Sequence, residues 1–216
     1  MGLRGKAKKY ELLKLCSGSL NRRTNSTNMD KKELLARTAI DLFAKKGYAN
    51  TSIRDIGKAA KVNVALIYYY FKDKEALLQH IIERSGRELA VILKEIQTTE
   101  PDPLECLKKM IVRQILHSSE SWKETKLMAM EGDQLHGQAR NESLRLQREI
   151  YGLYMTQLKR LKESNLLNDI NLTVGNFVVF GMINWFYRWY KEGKPLDEKE
   201  IADEMIRILL FGFLKR

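Results

Sequence analysis

Cysteine is almost missing from this 216-residue chain: Cys16 and Cys106 are the only two. That excludes a disulfide framework and points to a reducing compartment, the cytoplasm. The three histidines, His80, His117 and His136, lie far apart and have no ligand spacing with either cysteine, so no metal site is expected. No nucleophile elbow, phosphate loop or HExxH spacing occurs, and neither catalysis nor a cofactor is expected. A membrane span is also lacking. The run Leu172 to Tyr187 (LTVGNFVVFGMINWFY) is uncharged but only sixteen residues long, short of the roughly 20 that a span needs. With Asn176 and Asn184 inside it, the run is read as a helix buried on nearly all sides. The apolar patch at Leu12, Leu13 and Leu15 is too short and too interrupted by charge for a signal peptide.

What is present is a hydrophobic content of 44%, enough for a real core, and an uneven excess of positive charge totalling +11. Residues 1–28 hold seven Lys/Arg against one Glu, or +6; residues 29–75 hold ten against six, or +4. The remaining 76–216 carry 21 against 20, or +1. Such asymmetry suits a polyanionic partner, and nucleic acid is the first candidate. Residues 1–28 are read as a basic extension, with disorder as the default and a cloning scar, an over-called start or a DNA-touching arm as alternatives.

From Met29 onward every regular pattern is helical, so the fold class is all-α. Leu35, Ala39, Leu42 and Phe43 recur at helical spacing, and Lys45, Lys46 and Gly47 end that helix at about residue 46. Ser52-Ile53-Arg54-Asp55 is a capping-box start for a helix of about nine residues. Asn63 can cap another running from Val64 to about Phe71. Two short helices across a tight turn make a helix-turn-helix.

The second of these contains Tyr68-Tyr69-Tyr70 followed by Lys72 and Lys74. Ile67 and Phe71 share one face and belong to the core, whereas tyrosines about 100° apart cannot all point inward. Phenolic hydroxyls donate to phosphates and rings pack on sugars and thymine methyls, so outward tyrosines beside lysines suit a DNA surface. Tyr70 has the best claim to pack against the next helix instead.

The run Leu42 to Leu77, LFAKKGYANTSIRDIGKAAKVNVALIYYYFKDKEAL, resembles the DNA-binding domain of the tetracycline-repressor (TetR) family, with Gly47, Tyr48, Thr51, Tyr68, Tyr69, Phe71, Lys72 and Lys74 among its matches. The resemblance implies a dimeric all-helical regulator whose recognition helix enters the major groove of an inverted-repeat operator. It also implies a larger C-terminal domain, here 76–216 behind a DNA-binding domain at 29–75, that pairs subunits and binds a small molecule. Carried over, Thr51, Ser52 and Arg54 lie near DNA, Ala65, Tyr68 and Tyr69 face the groove or backbone, and Lys74 meets a phosphate. Family members often have Gly where this chain has Lys61, and polar residues where it has Val64 and Leu66. Direct readout is therefore expected from Arg54, Lys61 and the tyrosines, with thymine-methyl contact from Val64 or Ala65.

Further helices are expected at about 73–97, 104–117, 121–133, 138–163, 172–187 and 197–214. The last of them, opened by Asp197-Glu198-Lys199-Glu200, carries more apolar residues than one inward face uses. A twofold four-helix interface would cover the surplus, with Phe177, Ile201, Met205, Ile208, Leu209 and Phe213 as candidates. The segment Ile183 to Phe213 is similar to the C-terminal helices of family members that control fatty-acid or steroid breakdown and respond to acyl-CoA thioesters. That resemblance makes an acyl-CoA or similar hydrophobe the expected effector, with Trp122, Met128, Tyr151, Tyr154, Phe177, Phe180, Asn184 and Trp185 around the chain and Arg188 with Lys191 at its head. The rival expectation is a DNA-organising factor of the same fold with no small-molecule switch.

Overall fold

The computed structural model describes residues 31–190 and 195–214; the extension 1–28 and Lys191 lie outside the described residues. Three helices come first: α1 (Lys31–Lys46), α2 (Ile53–Ala60) and α3 (Val64–Tyr70). Their ends follow from local chemistry. Gly47 at φ +84° stops α1. Ser52 and Asp55 form a reciprocal capping box on α2, Ser52 N–H donating to Asp55 Oδ2 at 2.9 Å and Asp55 N–H donating to Ser52 Oγ at 3.1 Å. Asn63 Oδ1 accepts from Ala65 N–H at 2.9 Å and opens α3. Between α2 and α3 the chain turns through Lys61 at φ 57°, the left-handed region, at a cost on the order of 1 kcal/mol relative to glycine.

The helices that follow are α4 (Lys74–Thr99), α5 (Pro103–Glu120), α6 (Trp122–Glu131), α7 (Gly137–Glu163), α8 (Leu172–Asn184), the single turn α9 (Phe186–Trp189) and α10 (Glu198–Phe213). A 3-10 turn at Gly132–Gln134 joins α6 to α7. Among the described residues there is no strand, and no helix is long and apolar enough to cross a membrane.

Two apolar cores form, and α4 belongs to both. Its first half gives Leu77, Leu78, Ile81 and Ile82 to a core with Leu35, Ile40, Phe43, Ile56, Ile67 and Phe71. Its second half gives Leu89, Ala90 and Leu93 to a core with Leu107, Ile111, Ile150, Tyr154, Val179 and Leu209. The sequence boundary at residue 75 thus falls within the first turn of a continuous helix. Leu127 of α6 and Leu135 beyond it also lie in the first core. Gly86 sits where the helices come closest: a Cβ there would lie 2.5 Å from Leu146 Cδ2 of α7.

Two expectations need correction. The run 172–187 is not one helix buried on nearly all sides. It breaks after Asn184, and α8 exposes Val174, Phe177 and Val178 while burying Gly175, Asn176, Val179 and Ile183. On α10, Ile201, Met205 and Leu209 are buried in this chain's own core and Phe213 packs against it; Ile208 and Phe211 point outward. The surplus of apolar surface exists, but Phe177, Val178, Ile208 and Phe211 carry it.

Lys74 has a structural role beside the one expected of it. Its Nζ donates to the backbone carbonyls of Tyr48 at 2.9 Å and Thr51 at 3.0 Å and lies 4.1 Å from the centre of the Tyr48 ring. It braces the α1–α2 connection with two of its three N–H donors. Lys74→Ala leaves two carbonyls without their charged donor and should lower stability by about 2 kcal/mol, or about 4–8 °C in Tm for a chain of this size; a thermal melt of the variant checks this.

Candidate nucleic-acid interface and effector cavity

The helix-turn-helix turns one stripe of α3 outward. Ala65, Tyr68 and Tyr69 are related by three and four positions and are exposed, Tyr68 at 56% and Tyr69 at 79%. Ile67 is fully buried. Tyr70 is half-buried against the first core and meets the Tyr69 ring edge-on at 4.9 Å. Two tyrosines therefore face out and one faces in.

Around this stripe stand Arg54, Lys58, Lys61 and Lys72, all exposed and in no ion pair with the described residues. The carried-over residues of the α2 start behave differently. Thr51 is 1% exposed, its hydroxyl donating to Gly47 O at 2.9 Å, so its side chain is structural. Ser52 is exposed, but its hydroxyl donates to Asp55 Oδ2 at 2.6 Å. That bond, with the Ser52 amide, holds the Asp55 carboxyl below the usual carboxylate range. Thr51 is too buried for its side chain to reach DNA and Lys74 has two of its donors committed, while Arg54, Lys61, Ala65, Tyr68, Tyr69 and Lys72 are exposed.

In the C-terminal part a cavity of about 350 Å³ opens between α4, α5, α6, α7 and α8. Its apolar wall comes from Ile82, Leu89, Met128, Leu146, Ile150 and Phe180. Gln114, Thr125, Ser143 and Asn184 supply neutral polar groups, and Asp133 and Arg140, paired at 3.3 Å, are the charged ones. Gln114 is 3% exposed. Its Nε2 donates to Asn184 Oδ1 at 3.1 Å, and its Oε1 has no partner. Exchanging the amide's oxygen and nitrogen would leave the nitrogen unpaired instead. Either way a buried polar atom in the cavity wall lacks a partner, which costs about 1–3 kcal/mol unless water or a ligand supplies one.

Of the residues expected around a ligand, Met128, Phe180 and Asn184 line this cavity. Tyr151 stands behind Phe180, ring centres 5.6 Å apart. Tyr154 is fully buried in the core, and burial pushes its phenol well above the ordinary value. Trp122, Phe177 and Trp185 are exposed on the surface, and the Arg188 guanidinium lies 4.9 Å from the Trp185 ring centre. None of these four lines the cavity. Apart from Asn184 the polar liners were not singled out, although a signal existed: Gln114 sits in the apolar register Met110, Ile111, Ile115, and Ser143 extends the stripe Leu146, Ile150, Tyr154 by one turn.

The cavity wall also reaches the helix-turn-helix. Met128 and Asp133 line the cavity, while Leu127 and Leu135 from the same stretch lie in the first core. The His136 N–H donates to Glu75 Oε1 at 2.6 Å, next to Lys74, and Lys123 Nζ of α6 meets Asp41 of α1 at 2.5 Å. The stretch from α6 to the start of α7 thus contacts both the cavity and the helix-turn-helix.

Comparison with known proteins agrees with this architecture. Residues 35–81 match the profile of bacterial regulatory proteins of the tetR family, and residues 100–213 match the tetracyclin repressor-like C-terminal domain. The chain is 47% identical over 51 residues to the probable HTH-type transcriptional regulator YttP of Bacillus subtilis, a match spanning 24% of this chain and only 25% of that protein. It is 27% identical over 205 residues to the HTH-type transcriptional regulator AcrR of Shigella flexneri, covering 89% of this chain and 94% of that one. Among solved structures, AibR in complex with isovaleryl coenzyme A and operator DNA superposes with a TM-score of 0.78 at 25% identity, over 85% of this chain and all of that one. Two consecutive matches that together span both cores leave one assignment: the chain belongs to the TetR family of transcriptional regulators and is not an enzyme.

Proposed function

We propose that the protein acts in the cytoplasm as a homodimeric repressor that binds an inverted-repeat operator and is released by a small, mainly apolar effector. The observation that carries the DNA part is the Ala65, Tyr68, Tyr69 stripe with Arg54, Lys58, Lys61 and Lys72 around it. Large aromatic side chains held at more than half exposure beside unpaired cations have a use on a duplex and little elsewhere. The cavity supports the switch reading over a DNA-organising factor with no effector, because its wall is shared with the segment that grips Glu75 and the first core.

For the effector, an acyl thioester fits best. Its acyl chain would lie along Ile82, Leu146, Ile150 and Phe180, with the thioester carbonyl within reach of the Gln114 amide. A volume of about 350 Å³ is at the small end for ligand sites, so a short or branched chain fits better than a long one. AibR, with isovaleryl coenzyme A bound, is a structural relative in keeping with that size. Arg188 and Trp185, outside the cavity, have no part in this arrangement.

For the dimer, the exposed apolar residues of α8 and α10 (Val174, Phe177, Val178, Ile208, Phe211) form the face that a twofold partner would cover. A groove between α9 and α10, lined by Met182, Trp189, Leu196 and Ile208, continues it.

Three outcomes test these readings. Selection from random duplexes should enrich an inverted repeat with half-sites roughly 34 Å apart or a multiple of that, and Tyr69→Ala should weaken its binding about tenfold while changing stability by less than about 0.5 kcal/mol. Ile208→Glu should place a charge in the apolar seam and give a monomer or aggregate by sedimentation, whereas the unmodified protein at micromolar concentration should sediment as a dimer. Isovaleryl-CoA, at about a hundredfold excess over its Kd, should raise stability by about 2.7 kcal/mol and lower operator affinity in parallel. Gln114→Leu should retain the fold and weaken that ligand; calorimetry that shows no binding for any short acyl-CoA would remove the thioester reading without touching the DNA-binding one.

A further inference from the structure

We propose that the recognition helix identifies its half-site through the 5-methyl groups of thymines rather than through hydrogen bonds to guanine. This rests on the DNA-binding reading and adds the chemistry of the sequence that is read. The helix is VALIYYY, so its only polar side-chain atoms are three phenolic hydroxyls. Asn63, just before it, is occupied as the cap, accepting from Ala65 N–H. Lys72, just after it, is separated from the helix by Phe71 in extended conformation.

Position by position, little can reach a base edge. Ile67 and Phe71 are buried, and Val64 is turned toward α2, its Cγ2 lying 3.3 Å from where a Gly57 Cβ would sit. Leu66 is partly exposed and wholly apolar, and the exposed positions are the stripe Ala65, Tyr68, Tyr69: a methyl group between two phenol rings. Guanine is usually read by Arg or Lys at O6 and N7, and adenine by Asn or Gln at N6 and N7. None of these side chains is present on α3. In the major groove the thymine methyl is the single apolar mark that an alanine methyl or a ring edge can recognise. Ala65 is short enough to let the helix approach the groove floor, with a ring on either side to cover neighbouring methyls and a hydroxyl on each to reach a phosphate. The cations Arg54, Lys58, Lys61 and Lys72 are exposed but lie outside α3, so a guanine contact from Arg54 or Lys61 would come from beside the recognition helix and not from it.

The test uses the duplex enriched by selection, with thymines replaced by deoxyuridine one at a time and then throughout both half-sites. Base pairing is kept and only methyls are lost. Affinity should fall roughly fourfold for each contacted methyl and more than tenfold for full replacement, with an unchanged salt slope because no phosphate contact is removed. Ala65→Gly should erase the uridine penalty at one position of each half-site and preserve it at the others. A fully uridine-substituted site bound within twofold of the thymine site, or an enriched half-site without thymine, overturns the inference and leaves DNA binding intact. Failure to enrich any sequence removes the DNA-binding reading together with it.

Discussion

Helix α4 is 26 residues long, and both apolar cores are built on it. Leu77 to Ile82 close the helix-turn-helix core, and Leu89 to Leu93 open the core beneath the cavity. Ile82, Gly86 and Leu89, which line the cavity, sit on this helix between the two cores. At its N-terminus Lys74 carries the load into the α1–α2 connection through the Tyr48 and Thr51 carbonyls. Beneath that lysine, burial pushes the Tyr48 phenol up to about 12, with the nearby Glu75, Asp73 and Glu131 carboxylates adding to the effect, so the ring stays neutral. The brace therefore consists of one cation, two carbonyls and a neutral aromatic face.

Around that frame the surface divides by chemistry. The helix-turn-helix presents exposed tyrosines and cations that form no ion pair with the described residues, whereas α8 and α10 present exposed aliphatic and aromatic groups. The interior retains a third unmet demand, the orphaned amide atom of Gln114. Each of these is costly for an isolated chain. A duplex, a second copy and a small molecule with one polar atom would satisfy them in turn, and the family assignment is consistent with all three.

Periodicity and capping chemistry made the helices legible. The ends of α1, α2, α3 and α7 fall within a residue or so of where Gly47, Ser52, Asn63 and the stripe ending at Leu161 place them. The outward tyrosines were legible because three consecutive residues cannot share one face. Sidedness on α8 and α10 was not: when nearly every residue is apolar, composition cannot tell the buried Val179 and Leu209 from the exposed Phe177 and Ile208, and only packing decides. The bracing role of Lys74 was illegible because a lysine beside a DNA-binding helix has the same sequence signature whether or not it grips two carbonyls from 23 and 26 residues earlier. Met128, Phe180 and Asn184 of the expected ligand residues line the cavity; the others do not, for a related reason. Size and aromaticity pointed to Trp122 and Trp185, whereas the cavity is identified by polar residues in apolar registers, Gln114 and Ser143.

The central claim is that the Tyr68–Tyr69 face of α3 meets DNA. Site-specific photocrosslinking tests it directly. A benzophenone amino acid at Tyr69 is compared with the same group at Val91, which is 66% exposed on the far half of α4, each in the presence of the selected duplex. The account predicts a protein–DNA adduct from position 69 that competitor operator abolishes, and none from position 91. Adducts from position 91 with none from position 69 would contradict it.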